Sequence, residues 1–268
     1  MRDMLEPSRA IVFFSLLAAV GAVNAEAQVR FAEPADAVLH ALFPTLDATT
    51  GTTPVAEPAI AAGRRPPREV RGENCISGFR IAENQTAEWS VQGHNYLLSL
   101  FLVTTDAKRG IPAPCYKPEA WACVLDKTSS GLRPVDCAWI DPAIQFPENI
   151  ALDTAAFALN ETERAFGVRV GSEFGQRFWS ETNETLLLFR LQHDSLREIL
   201  TIPVRTAHED FTDDRETCSR ELIVSVDRAK TQGFFHWRVR TGKKSGRASC
   251  DLDSVGTYRW DGQRYVKR

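Results

Sequence analysis

Thr185 to Val204 reads TLLLFRLQHDSLREILTIPV, two apolar runs of strand length that meet at His193-Asp194-Ser195. Runs of this length bounded by polar turn residues read as strands, and so short a turn returns the chain antiparallel to itself. Pro203 has no N–H to give a ladder, so the second run should end there or lie along an edge. Similar runs follow closely on both sides: Gly167 to Val170 and Gln176 to Ser180 before it, then Glu221 to Asp227, Phe234 to Arg240 and Thr257 to Val266 after it. Sequential strands joined by short turns usually pair with each other, which predicts a mostly antiparallel sheet.

Toward the N-terminus, Ala87 to Val91 and Tyr96 to Thr104 flank Gln92-Gly93-His94-Asn95. The second of these, YLLSLFLVT, is apolar on both faces and should be a central strand. Ile111 to Pro147 is rich in cysteine and proline and reads as a stapled, loop-rich region, with Trp121 to Leu125 its best strand. Ala151 to Phe166 (ALDTAAFALNETERAF) is the expected helix of the domain. Asp153 can cap its first turn, Ala155, Leu159, Thr162 and Phe166 form a stripe, and Gly167 stands at the stop. The fold class expected is mainly β, an antiparallel sandwich or partly open barrel with one packed helix, stapled by disulfides.

Ahead of this domain the composition changes twice. Ala10 to Val23 is an apolar run preceded by Arg2 and Arg9 and followed by Asn24-Ala25-Glu26-Ala27, the pattern of a cleaved export signal. The run falls short of the roughly 20 residues that span a bilayer. Residues 1–25 are therefore expected to be a signal peptide, with Ala25 or Ala27 at the cut and no transmembrane segment left afterwards. Residues 26–71 are rich in Pro, Ala and Thr and read as a flexible linker, except that Pro34 to Phe43 (PADAVLHALF) has helical spacing and reads as a short surface helix that docks on the domain, with a partner-binding helix as the alternative. Residues 72–268 form the β-rich domain, with a split into two subdomains near Pro147 as the alternative.

Export implies a periplasmic or secreted location in which thiols oxidise. All six cysteines lie beyond the signal, with no C-x-x-C pair and no histidine at ligand spacing, so disulfides are favoured over metal. Cys218 and Cys250 bracket a hairpin and should pair; Cys115 with Cys123 and Cys75 with Cys137 complete the expected set. The formal net charge of −3 lacks the basic excess of nucleic-acid binders. No cofactor motif occurs.

The chain ends in Tyr258-Arg259-Trp260-Asp261-Gly262-Gln263-Arg264-Tyr265, where Asp-Gly suits a two-residue type I′ turn. That turn would put Arg259 opposite Arg264 on a wet face, a candidate site for an acidic ligand, and Tyr258, Trp260 and Tyr265 on a buried one. Together with Arg220 to Val226 and Thr231-Gln232-Gly233-Phe234-Phe235, this ending resembles the C-terminal β-unit of exported proteins of Gram-negative bacteria, some of which look like single blades of the FG-GAP repeat. The resemblance covers about residues 195 to 268 and implies compartment and β architecture. Asp251 to Gly256 lacks the oxygen ligands of that repeat's calcium loop.

Chemistry-bearing motifs are sparse. Gly171-Ser172-Glu173-Phe174-Gly175 puts serine one place too early for a nucleophile elbow, and Thr241 to Gly246 lacks the upstream glycine of a phosphate loop. His208-Glu209-Asp210 with Asp213 and Asp214 is the densest polar cluster, so His208, Asp210 and Asp213 are the candidate metal ligands, placed in a loop between strands. The function expected is that of an exported, non-catalytic binding protein, an inhibitor or immunity factor with another protein as its partner. An envelope hydrolase using the His208 to Asp214 cluster, or a structural and adhesive envelope component, are the alternatives.

Overall fold

The computed structural model describes residues 35–47, 49, 52–53, 58–61, 79–105, 119–140, 147–212, 217–246, 250 and 252–268. The expected signal peptide lies outside them, as do Cys75, Cys115 and Asp213. None of the helices among the described residues is long and apolar enough to cross a membrane.

Helix α1 (Ala35–Leu42) comes first, then β1 (Thr52–Thr53), a 3-10 turn at Ala59–Ala61, β2 (Phe79–Val91), β3 (His94–Thr105), β4 (Glu119–Thr128) and β5 (Gly131–Ile140). These strands form one antiparallel sheet in chain order. The second sheet also keeps chain order: β6 (Pro147–Ala158), β7 (Arg164–Gln176), β8 (Trp179–Gln192), β9 (Ser195–Asp210), β10 (Cys218–Thr231), β11 (Phe234–Gly246), β12 (Gly256–Trp260) and β13 (Tyr265–Lys267).

Alternation along the strands creates three cores. Leu98, Leu100 and Leu102 of β3 meet Phe166, Val168, Val170, Leu187 and Phe189 of the second sheet. The other face of β3, with Leu97, Phe101 and Val103, is covered by Val38, Leu42 and Phe43 of the α1 region. Part of the stretch expected to be linker is thus packed on the sheet, and the short helix docks as its spacing predicts. Beyond β8, the second sheet rolls over itself, enclosing Phe157, Leu186, Leu188, Ile202, Trp237 and Trp260. Phe157 stacks on Trp237 at 5.6 Å, and Phe235 N donates to Leu159 O at 2.8 Å across the roll. The roll stays partly open because β9 and β10 pair only at Arg205–His208 with Cys218–Glu221. Pro203 lies just outside that ladder, on an open edge as expected.

Several sequence expectations are corrected. Ala151 to Phe166 is not a helix but most of β6, a turn and the start of β7. Asp153 Oδ1 accepts from Ala155 N within a bulge, and Asn160 Oδ1 accepts from Thr162 N and Glu163 N to reverse the chain. Alanine's helix propensity gives way to burial of Ile150, Phe157 and Leu159 between partner strands. The expected strand Gln176 to Ser180 straddles the Arg177-Phe178 turn of the β7–β8 hairpin. The region expected to be loop-rich contains the long β4–β5 hairpin, and its facing Cys123 and Cys137, with Cα atoms 4.1 Å apart, are bonded to each other. This replaces both Cys115–Cys123 and Cys75–Cys137. Cys218–Cys250 forms as expected.

Gly167 is needed for close approach rather than as a helix stop. A Cβ there would lie 2.9 Å from Phe157 and 3.0 Å from Leu186. Gly167→Ala should therefore destabilise by about 1–3 kcal/mol in urea unfolding, whereas Gly171→Ala, whose Cβ would meet nothing nearer than 3.4 Å, should be close to neutral. Replacing Cys123 and Cys137 by alanine opens a loop of sequence separation 14 and should cost about 3 kcal/mol, with non-reducing peptide mapping of the parent protein showing the Cys123–Cys137 link.

Candidate functional site

Strands β7, β8 and β9 continue beyond the shared core. The β7–β8 register has no bulge, so the face that carries Val168, Val170, Leu187 and Phe189 inward carries Phe174, Glu181 and Trp179 at its far end. His208 pairs with Glu181 and joins that face from β9. Phe174 lies 5.3 Å from Trp179, and Trp179 lies 5.9 Å from His208. The Arg177-Phe178 turn closes the hairpin, with the guanidinium 5.5 Å above the Phe178 ring. Phe211 follows β9 and donates its N–H to Phe178 O at 2.8 Å.

Phe174, Phe178 and Phe211 are 47%, 56% and 63% exposed, half of the large apolar side chains left in water among the described residues. Fully burying such a ring is worth about 1.5–3 kcal/mol, so the three leave several kcal/mol of apolar burial unused at one end of the ribbon. The same face carries Glu181 and Asp210 beside the rings, with Arg177 in the turn that closes the hairpin. The surface is aromatic with an acidic rim.

The candidate ligands fall differently from their expected positions. His208 and Asp210 lie within β9, not in a loop. Asp210 Oδ1 accepts from Thr212 N and Thr212 Oγ1 at 2.7 and 2.6 Å, which commits that oxygen to the bend after the strand. Among the described residues no group of three His, Cys, Asp or Glu side chains is placed to hold a metal ion. Arg259 and Arg264 are not opposite each other: Trp260 pairs with Tyr265 and Arg259 with Val266. Asp261 Oδ1 accepts from Gln263 N and Arg264 N, and Asp261 N donates to Arg264 O, so a four-residue turn replaces the two-residue one. Tyr258, Trp260 and Tyr265 are buried as expected. The serine of Gly171 to Gly175 and the lysines of Thr241 to Gly246 sit within strands β7 and β11, in neither an elbow nor a phosphate loop.

His94 Nε2 lies 2.9 Å from Asp126, which also accepts from Arg133 at 3.1 Å. The nearby Ser90 hydroxyl donates to Asn95 Oδ1 rather than to the imidazole, so the pair is not part of a serine triad. His236 is buried with its Nε2 2.7 Å from Thr231 Oγ1, a packing role. Compared with protein-family models, curated proteins and solved structures, the chain matches none.

Sequence reasoning had the aromatic residues but not their meeting. Phe211 comes beside Phe178 only through the β8–β9 ladder, and reading Gln176 to Ser180 as one strand hid the turn that exposes Phe178. The hydrogen bonds from His94 and Arg133 hold the Asp126 carboxyl below its ordinary range. A depressed folded-state value stabilises above the unfolded value and is lost as pH falls through it. Asp126→Asn should cost up to about 1 kcal/mol at pH 7 and nothing once the carboxyl is protonated well below pH 4, as read from urea unfolding across pH.

Proposed function

We propose that this chain is an exported, disulfide-stapled β protein that binds another protein through the aromatic end of the β7–β8–β9 ribbon and performs no catalysis. The observation that carries the reading is the exposure of Phe174, Phe178 and Phe211 together at the turn end of the β7–β8–β9 ribbon. Aromatic anchors beside an arginine are typical of the residues that dominate protein interfaces. Burying three phenylalanines offsets much of the entropy of association, which a small polar contact could not do. The partner is a protein surface with an apolar pocket and a basic rim, matching the rings and the surrounding carboxylates.

Compartment rests on other features. The apolar run at Ala10 to Val23, the bonded cysteine pairs and the likeness of residues 195 to 268 to exported β-units all support a periplasmic or secreted protein. Such a molecule would act by occupancy, as an inhibitor or immunity factor does.

A photo-crosslinking amino acid in place of Phe178, introduced in intact cells, should give one discrete adduct. That adduct should vanish when Phe174 and Phe211 are both changed to Ala and should weaken with rising salt. The double variant should unfold within about 0.5 kcal/mol of the parent, since exposed positions contribute little to folding. An adduct that is diffuse, or indifferent to both changes, overturns the proposal.

A further inference from the structure

The opposite face of the same ribbon holds a cleft of ≈ 170 Å³, and we infer that it is a binding site for a small neutral polyol such as a single sugar ring. This does not depend on the aromatic end having a protein partner. The cleft sits where the roll opens beyond Leu186 and is lined by Arg169, Gly171, Glu173, Thr182, Glu184 and Arg205, with Asn149 and Ala151 along its β6 side. Drug-sized pockets start at about 300 Å³, so the space suits something smaller. Mouths of β-barrels are frequent ligand sites.

Charge and hydrogen bonding decide the class. Arg169 is fixed by Asp153 at 2.7 Å through Nε and by Glu184 at 2.5 Å through Nη1. Those pairings match its charge, and they hold the guanidinium in one orientation while its side chain stays 42% exposed. Among the described residues its Nη2 group has no hydrogen-bond partner, and Arg205 across from Glu184 makes no ion pair. The lining therefore alternates donors and acceptors of nearly balanced charge. An anion would have to sit against Glu173 and Glu184, and a cation against two guanidiniums. A hydroxyl group both donates and accepts, so adjacent hydroxyls can each bridge an arginine N–H and a carboxylate oxygen without leaving a charge unpaired. Gly171 leaves the floor bare between these groups. Its φ is not positive, and a Cβ there would rest at an ordinary 3.4 Å from Asn149.

The test is a titration of the full protein with D-glucose and with N-acetylglucosamine, followed by backbone amide NMR, with sodium phosphate and sodium glutamate as charged comparisons. Saturable shifts at Gly171, Thr182 and Arg205 in the millimolar range, from a sugar and not from the anions, are expected. Gly171→Val fills the floor and should weaken binding at least about tenfold while the remaining spectrum is unchanged. Arg205→Gln, at an exposed position, should weaken it as well and serves if the valine variant does not fold. Absence of saturable shifts with either sugar, preference for phosphate or glutamate, or binding that survives both changes would each overturn the assignment.

Discussion

Leu186, Leu187, Leu188 and Phe189 follow one another in β8, and all four are buried. Leu186 and Leu188 face the roll, while Leu187 and Phe189 face the first sheet. A strand apolar on both faces has no surface position open to it, because leaving either face wet would forgo several kcal/mol of burial. It must be the middle layer. β7 and β9 follow it, the first sheet closes one side, and the remaining strands curl to close the other. Polar ties then fix how the layers meet. Asp136 is buried and accepts from Leu196 N at 2.7 Å. Gln85 donates to Ile150 O and accepts from Leu152 N. Glu163 bridges Arg190 of β8 and Gln92 of the β2–β3 turn. Sliding one sheet by a residue would leave these groups unmatched, at a cost larger than the bonds themselves contribute.

Much of this was legible because it depends on side-chain period. The doubly apolar Tyr96 to Thr104, the Thr185 to Val204 hairpin, the helix at Pro34 to Phe43 and the inward aromatics of the C-terminus all follow from local alternation. The errors arose where local preference and long-range pairing disagree. Ala151 to Phe166 has the propensity and caps of a helix, yet its Asp and Asn side chains serve a bulge and a turn instead. Asp261-Gly262 has the residues of a tight turn, but the carboxylate of Asp261 captures two amides and widens it. Cys123 and Cys137 were separable from the other pairings only by knowing that β4 and β5 are neighbours. The aromatic end and the cleft were illegible for the same reason, since each is assembled by ladders between residues far apart in sequence.

The position of the aromatic end has a physical logic. Exposed phenylalanines on a loose loop would collapse onto the nearest apolar surface or promote aggregation. Here the strands that carry Phe174 and Trp179 are continuous with the buried segments of β7 and β8 respectively, so the rings are held out by strands anchored in the core, and the β9–β10 ladder near Cys218–Cys250 braces the third strand. The carboxylates around them disfavour self-association of identical copies, because two such ends would bring like charges together.

A single irregularity sets both surfaces. Between Thr185 and Glu184 the β8–β9 register shifts: Thr185 pairs with Pro203 but Glu184 pairs with Arg205, leaving Val204 as an extra residue. A bulge of this kind reverses which face each later side chain occupies. Val204 can therefore stay in the core at 2% exposure while the next residue, Arg205, faces the cleft beside Glu184. The same shift turns His208 to the face of Trp179. With a regular ladder, Arg205 would point toward the aromatic side and His208 toward the cleft, placing a cation among the rings and an imidazole among the hydroxyl-binding groups. Both surfaces therefore depend on one added residue in β9, at the point where that strand leaves the core.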